Sequence, residues 1–123
     1  MSAKFKIEQK KPLPMLPGID CSPLAMERLM VNLVELKKKS EVPSHRHFEE
    51  QVTFIFRGEL EFELEGKKFR LGPGEGALIP RNARHSARAL KKTLAVDSFS
   101  PPRWDYLEKL KLAGRKPQIP DER

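Results

Sequence analysis

Cysteine and long apolar runs are scarce in this chain of 123 residues. A single cysteine, Cys21, excludes an internal disulfide framework and makes a reducing compartment the default expectation. No run of about 18 apolar residues occurs, so no membrane span is expected, and the first residues lack the apolar core of a signal peptide. The length suits one domain with one core. These absences predict a soluble cytoplasmic protein.

The charge is strongly one-sided, with 24 Lys+Arg against 17 Asp+Glu and a net charge of +7. A basic chain is expected to bind either nucleic acid or a small acidic ligand. Four lysines lie in residues 1–11 and six Lys/Arg in residues 103–123, so much of the excess belongs to the chain ends. No aromatic-basic interleaving that would stack bases is present. We therefore expect a small anionic partner and no nucleic acid.

The chain divides into three parts by composition. Residues 1–24 contain four prolines and predict an extended N-terminal arm that wraps the domain or reaches a partner. Residues 25–102 hold many short strand patterns, and residues 103–123 predict a helix over Trp104–Leu112, ended by Gly114, and a polar tail. The clearest strand is Glu59–Glu65, where polar and apolar residues alternate before a Gly66–Lys67 turn.

The other strand patterns are short and separated by turns. They cover Met26–Leu36, for which a helix is the alternative, and then Gln51–Phe56, Phe69–Leu71, Ala77–Pro80, His85–Leu90 and Leu94–Phe99. Many short strands with one late helix predict an all-β barrel or sandwich.

Histidine carries the first sign of chemistry. His45 and His47 would share one face of a strand, Gln51 has the same parity, and His85 is the only other histidine. Three imidazoles and an amide oxygen can bind one divalent ion, such as Zn, Ni, Fe or Mn. The alternative is that these are unrelated surface or core histidines.

Two stretches resemble the motifs of the cupin superfamily. Residues 43–51 followed by Gly58 resemble the first motif, and residues 74–85 resemble the second, after a spacer of 15 residues. The resemblance implies a small jelly-roll β-barrel of two antiparallel sheets, often dimeric. It also implies His45, His47, Gln51 and His85 as metal ligands.

The chain departs from the superfamily pattern at two positions. Asn82 stands where the second motif usually has glycine, and asparagine tolerates positive φ better than most residues. Gln51 stands where many cupins have glutamate. Four neutral ligands would leave a divalent ion its full charge, which favours an anionic ligand.

Residues 97–107 resemble the segment that ends the barrel of KdgF-type cupins, which convert cyclic 4,5-unsaturated monouronates into linear keto acids. The resemblance implies roles for Asp97, Phe99 and Arg103. Taken alone, Asp97 lies between apolar residues of a strand and is either a general acid or base or a structural carboxylate. Arg103 either clamps a substrate carboxylate or anchors the helix start, and Phe99 either lines the substrate site or packs in the core.

These observations favour an enzyme that opens or tautomerises an unsaturated uronate or performs a related isomerisation. A metal-dependent dioxygenase and a non-catalytic sensor remain as alternatives. If Gln51 and Thr53 face the cavity, then Val52, Phe54 and Phe56 face the opposite side and need a cover. The arm, the helix or a second subunit could supply it, and we expect a homodimer.

Overall fold

The computed structural model describes residues 4–6 and 12–112 of the chain, and strands dominate this part. The strands are β1 (Leu13–Leu16), β2 (Ile19–Ala25), β3 (Met30–Leu36), β4 (Glu41–His45), β5 (Glu50–Arg57), β6 (Leu60–Leu64), β7 (Lys67–Leu71), β8 (Gly76–Ile79), β9 (His85–Ala89) and β10 (Thr93–Ser100). One helix, α1, spans Trp104–Leu112 as predicted. The all-β class with a short C-terminal helix is confirmed.

The strands form two antiparallel sheets with a shared core. One sheet has six strands in the order β1-β2-β3-β10-β5-β8, and the other has four in the order β4-β9-β6-β7. The arrangement is a jelly roll of two packed sheets rather than one closed barrel. Alternate residues of each strand point between the sheets, and Met30, Ile55, Phe62 and Phe99 are among those that fill the core.

The structure of the β6–β7 hairpin is determined by residues close together in the sequence. Leu60 and Phe62 are buried, and the intervening glutamates keep the other face in contact with water. The turn uses Glu65 and Gly66, with φ of 48° and 82°. A hairpin turn with positive φ at both central residues has a twist that matches the flanking strands. The turn lies one residue earlier than predicted.

The N-terminal segment differs from the expected arm. From Leu13 onward it forms β1 and β2, which add two strands to the six-stranded sheet. Ile19, Cys21 and Ala25 alternate toward the core and are buried there, so a pattern of period two outweighs the proline content. Pro23 lies beyond the β1–β2 pairing, where its missing amide hydrogen interrupts nothing between those strands.

The prediction of a strand within Met26–Leu36 is confirmed, with a later start. The Met26–Leu36 stretch is a strand and not a helix, but it begins at Met30 because Met26 and Leu29 close a turn with a 2.7 Å hydrogen bond. Gly114 and the polar tail lie outside the described residues. Within the described ranges no helix is long and apolar enough to cross a membrane.

Candidate metal centre and cavity

Two strands and one loop bring the three histidines together, and a third strand adds Gln51. His45 ends β4 and His85 begins β9, and the two residues are register partners. His47 lies in the loop after β4, so the prediction that both early histidines lie on one strand was wrong. Gln51 enters from β5 on the inner face of the facing sheet. The four predicted ligands nonetheless meet at one end of the jelly roll.

The spacing of the imidazoles is close to that of a metal site. The ring centroids of His45, His47 and His85 lie 4.3–5.5 Å apart, and one nitrogen of each lies within 4.8 Å of the others. Two zinc–nitrogen bonds of about 2.1 Å bring ligand atoms within about 4.2 Å of each other. Small side-chain shifts would therefore let all three nitrogens share an ion.

Backbone carbonyls select the tautomer of all three rings. Each Nδ1 atom lies 2.8–3.0 Å from a carbonyl oxygen two residues away in the chain. A carbonyl only accepts, so Nδ1 carries the hydrogen and each neutral ring has its lone pair on Nε2. For His85 that Nε2 is buried and has no hydrogen-bond partner among the described residues. Ligands of a metal are held by such outer bonds.

Gln51 supplies a sharper test of whether a cation fits. Its Nε2 donates to the hydroxyl of Thr53 at 2.8 Å, which turns its Oε1 toward His47 Nε2 at 3.0 Å. Two lone pairs then face each other, and either a proton or a cation must lie between them. Burial lowers the pKa of His47, which disfavours the proton. The residues present therefore fit a divalent cation.

Burial also keeps His85 neutral. Loss of solvent lowers its pKa to about 4, and the positive charge of Arg103 acts in the same direction. A neutral imidazole is the form that binds a metal, so the ring is ready to act as a ligand at neutral pH without losing a proton first.

Asp97 reaches the same cavity from β10. Its neighbours Ala95 and Phe99 on the same face are buried, as the alternation predicted. The carboxylate Oδ1 accepts a 2.7 Å hydrogen bond from Thr53. Burial raises the pKa of Asp97 to about 6, although the Thr53 hydrogen bond and the Arg103 charge oppose the rise. A group with that pKa can both take and return a proton near neutral pH.

Arg103 shows the contact expected of an anchor for the helix start, and its role toward a substrate carboxylate stays a prediction. Its Nε and Nη2 donate to the carboxylate of Asp105 at 3.1 and 2.6 Å, which anchors the start of α1. Its guanidinium also lies 5.2 Å from the ring centre of Phe99 and 4.8 Å from that of Tyr106, on the cavity wall. The arginine is therefore held rigidly beside the cavity.

Phe99 is a buried wall rather than an open surface. Its ring lies 5.8 Å from His47 and 5.7 Å from Tyr106, and 1% of the residue is exposed. Its ring meets the imidazole of His47 edge to face, so packing is the role that its contacts show directly.

The cavity between the sheets contains these groups and an apolar lining. Its volume is about 80 Å³, enough for a few water molecules or part of a small ligand. His45, Gln51, His85, Asp97 and Arg103 line it, together with apolar side chains of both sheets. The cavity thus joins two histidines of a cluster that could hold a metal, a titratable carboxyl and a fixed cation.

Three buried polar groups were given no role from sequence. Thr53 and Asn32 are register partners of Asp97 on either side, and Tyr106 covers Phe99. The parity of Thr53 with Gln51 placed it on the inner face, but its hydrogen bonds had no signal in the sequence. Cys21 also lines the cavity, and burial raises the pKa of its thiol to about 12.

The turn before His85 has the geometry that Asn82 was expected to permit. Asn82 has φ of 61°, and its backbone N–H donates a 2.8 Å hydrogen bond to the carbonyl oxygen of His47. The neighbouring Arg81 stacks on the ring of Phe48 at 4.4 Å. By contrast, Arg88 pairs with Glu41 on the outer surface at 3.7 Å.

The sequence pattern of the cupin domain family matches residues 32–96, which is more than half of the chain. The range contains the three histidines and Gln51. Asp97, Phe99 and Arg103 lie just beyond its end.

Known proteins with related sequences and folds point in the same direction. The pectin degradation protein KdgF of Dickeya dadantii is 30% identical over 81 residues, which cover 64% of this chain and 74% of that protein. The structure of KdgF from a Halomonas species has a TM-score of 0.80 and 33% identity, and the match covers 86% of this chain and all of that one. Dimethylsulfoniopropionate lyase DddQ of Ruegeria pomeroyi is 36% identical over 67 residues, which span 33% of that protein and 54% of this chain.

Proposed function

Since the chain belongs to the cupin domain family, we propose that it is a metal-dependent enzyme acting on a small, anionic, sugar-derived substrate. The reaction proposed is the ring opening or tautomerisation of an unsaturated uronate. One observation carries most of the weight. Asp97, with a pKa of about 6, lines the same cavity as His45, His85 and Arg103. The likeness to two KdgF proteins supports this choice of substrate class.

The metal would be held by His45, His47, His85 and Gln51. When bound, a divalent cation there supplies Lewis-acid polarisation of a substrate oxygen, with no ligand carboxylate to reduce its charge. The neutral donor set also favours a negatively charged ligand. Zn, Ni, Fe and Mn all accept such nitrogen and oxygen donors.

Asp97 is proposed to move the proton. Opening the ring of a 4,5-unsaturated uronate removes a proton from the anomeric hydroxyl, breaks the ring carbon–oxygen bond and returns a proton to carbon. The product is an isomer, so no water or redox partner is consumed. Oδ1 of Asp97 is occupied by Thr53, and we assign the proton transfer to Oδ2.

Arg103 is proposed to orient the substrate carboxylate. Its guanidinium is already held against Asp105 and two aromatic rings, so it loses little freedom on binding a ligand. The surrounding aromatic and aliphatic walls exclude water from the proton transfer.

The activity test follows loss of the cyclic uronate by NMR. Metal-loaded protein should open an unsaturated monouronate well above the spontaneous rate. Asp97→Asn should reduce the rate at least about 100-fold with the bound metal unchanged. A rate equal to the spontaneous one, with metal bound, would falsify the uronate assignment.

A lyase is the second candidate, because the chain is 36% identical to the dimethylsulfoniopropionate lyase DddQ over 67 residues. A lyase would use the same carboxyl to remove a proton from carbon and would release two products. NMR of a panel of small carboxylated substrates distinguishes the two reactions, since only the isomerase leaves the molecular formula of the substrate unchanged.

We also infer that the protein is a homodimer. Val52, Phe54, Phe56 and Leu78 form an exposed apolar face on β5 and β8, which we call the outer patch. Within the described ranges, β1 and β2 extend the opposite end of that sheet, and α1 turns Tyr106 toward Phe99 on the inner side. Neither of these described elements covers the outer patch, and we propose that a second subunit does.

A further inference from the structure

Thr53 occupies a central position between the proposed metal ligand and the proposed proton carrier. It lies on β5, two residues after Gln51 on the same inner face, and it is the register partner of Asp97 on β10. The residue is 3% exposed, so water does not compete for its hydroxyl. A hydroxyl has one hydrogen to donate and lone pairs to accept.

The single hydrogen of Thr53 sets the direction of a hydrogen-bond chain. Asp97 as a carboxylate only accepts, and Thr53 donates to its Oδ1 at 2.7 Å. Thr53 is then left as an acceptor for the Gln51 amide, and that contact is 2.8 Å. The amide nitrogen therefore faces Thr53, and the amide oxygen faces His47 and the metal position.

Without the hydrogen bonds that join Gln51, Thr53 and Asp97, a flipped amide of Gln51 would be more favourable in the metal-free protein. A flipped amide would donate its nitrogen hydrogens to the lone pair of His47 Nε2 and would present no oxygen to a cation. The hydroxyl of Thr53 opposes the flip, because an oxygen turned toward it would compete with Asp97 for one hydrogen.

On the basis of the proposed metal site, we propose that Thr53 is a positioning residue that holds the Gln51 amide with its oxygen toward the metal and fixes Asp97 through the same hydroxyl. Thr53 lines the cavity, but its hydroxyl is already bonded to Gln51 and Asp97. It acts through its two hydrogen-bond partners, as outer groups of metal sites do.

The test compares metal affinity among three variants of β5, measured by competition with a chelator and by the absorption spectrum of bound Co²⁺. Thr53→Val keeps the branched shape and removes the hydroxyl, and it should weaken Co²⁺ binding about 10–100-fold and change the spectrum. Thr53→Ser restores the hydroxyl and should bind within about three-fold of the wild type. Ile55→Val, on the same face, controls for altered packing and should leave affinity and spectrum unchanged.

The outcomes separate this proposal from the proposed function. Wild-type affinity and spectrum in a folded Thr53→Val protein would overturn the role of Thr53, whatever the activity. A Thr53→Ser protein as weak as Thr53→Val would also overturn it, since the hydroxyl would not be the cause. Failure to open uronates, with the expected affinities, would overturn only the proposed function. Absence of any metal binding by the wild type would overturn both.

Discussion

The two faces of strand β5 carry opposite kinds of side chain. The inner face is 7, 3 and 0% exposed at Gln51, Thr53 and Ile55. The outer face is 50, 40 and 52% exposed at Val52, Phe54 and Phe56. A strand with one wet face normally buries its apolar side chains and exposes its polar ones. In β5 this pattern is inverted at the buried polar residues Gln51 and Thr53 and on the exposed apolar outer face, whereas the buried Ile55 follows it.

An inverted strand costs stability twice. Polar groups lose water on the inside, and apolar groups contact water on the outside. The inner cost is offset where the groups hydrogen-bond each other, as Gln51, Thr53 and Asp97 do. The outer cost is offset if a partner covers the patch. The comparison therefore assigns the inner face to chemistry and the outer face to assembly, and each assignment can be broken separately.

Gln51→Leu should have the largest effect, because it removes the oxygen donor from the inner face. We expect metal affinity to fall at least about 100-fold, since loss of a ligand exceeds the effect of outer groups. Chelator competition with Zn²⁺ or Co²⁺ measures it. Val52→Leu, the next residue on the outer face, is the matched control and should bind metal normally. Equal affinities for the two variants would contradict the assignment of the inner face.

The Asp97→Asn variant of the metal-free protein tests how much the buried carboxylate of Asp97 lowers the free energy of unfolding. The pKa of Asp97 is raised from 3.8 to about 6 in the folded state, so the carboxyl is protonated in both states below about pH 4 and carries no penalty there. As pH rises through 6 the folded protein must bury the charge, and stability is lost. The variant should gain about 3 kcal/mol over the wild type at pH 8 and little at pH 4.

Urea unfolding of both proteins across this pH range measures the difference. The difference between the two proteins is the quantity to compare, because burial also lowers the pKa of His47 and His85, and their contribution to stability falls toward acid pH in both proteins. A gain that is equal at pH 4 and pH 8 would show that the Asp97 charge is not the cause.

Phe54→Lys tests the outer face. Placing a charge at the centre of the outer patch should weaken self-association at least about 10-fold, because a buried unpaired ammonium is costly. Sedimentation of wild type and variant over a concentration series measures it. Metal affinity should stay at the wild-type value, since the residue faces away from the cavity. A wild type that is monomeric at all concentrations would contradict the homodimer directly.

Much of the fold was readable from local pattern. Alternation predicted β6, β10 and the inward face of Asp97, and turn chemistry predicted the positive φ of Asn82. These features depend on neighbours within a few residues, and that is the range over which sequence patterns act. The resemblance of two motifs then brought the histidines into one site, as the structure does.

Other features depend on partners distant in sequence. The N-terminal segment looked like an arm because of its prolines, but it forms two consecutive hairpins, β1 with β2 and β2 with β3, and β3 joins them to the distant strand β10. His47 lies in a loop, so strand parity was the wrong basis for its position. The bond from Thr53 to Asp97 spans 44 residues and has no local signal. Asn32, the other register partner of Asp97, was equally hidden within an apolar strand.

Replacing Asn32 should have the smallest effect of these substitutions on stability and metal affinity. The experiment tests whether every polar group on the inner face has a function. It is fully buried, and neither polar atom of its side chain makes a hydrogen bond of good geometry among the described residues, although the side chain lies near enough to the Cys21 thiol to lower the pKa of that group. A buried polar group without a partner costs about 1–3 kcal/mol, so replacing it by an apolar residue of similar size should be neutral or stabilising. Asn32→Leu should therefore change the free energy of unfolding by less than about 1 kcal/mol or increase it, as measured by urea unfolding. A large loss of stability or of metal affinity would show that Asn32 belongs with Thr53 and Gln51 in the working face of the sheet.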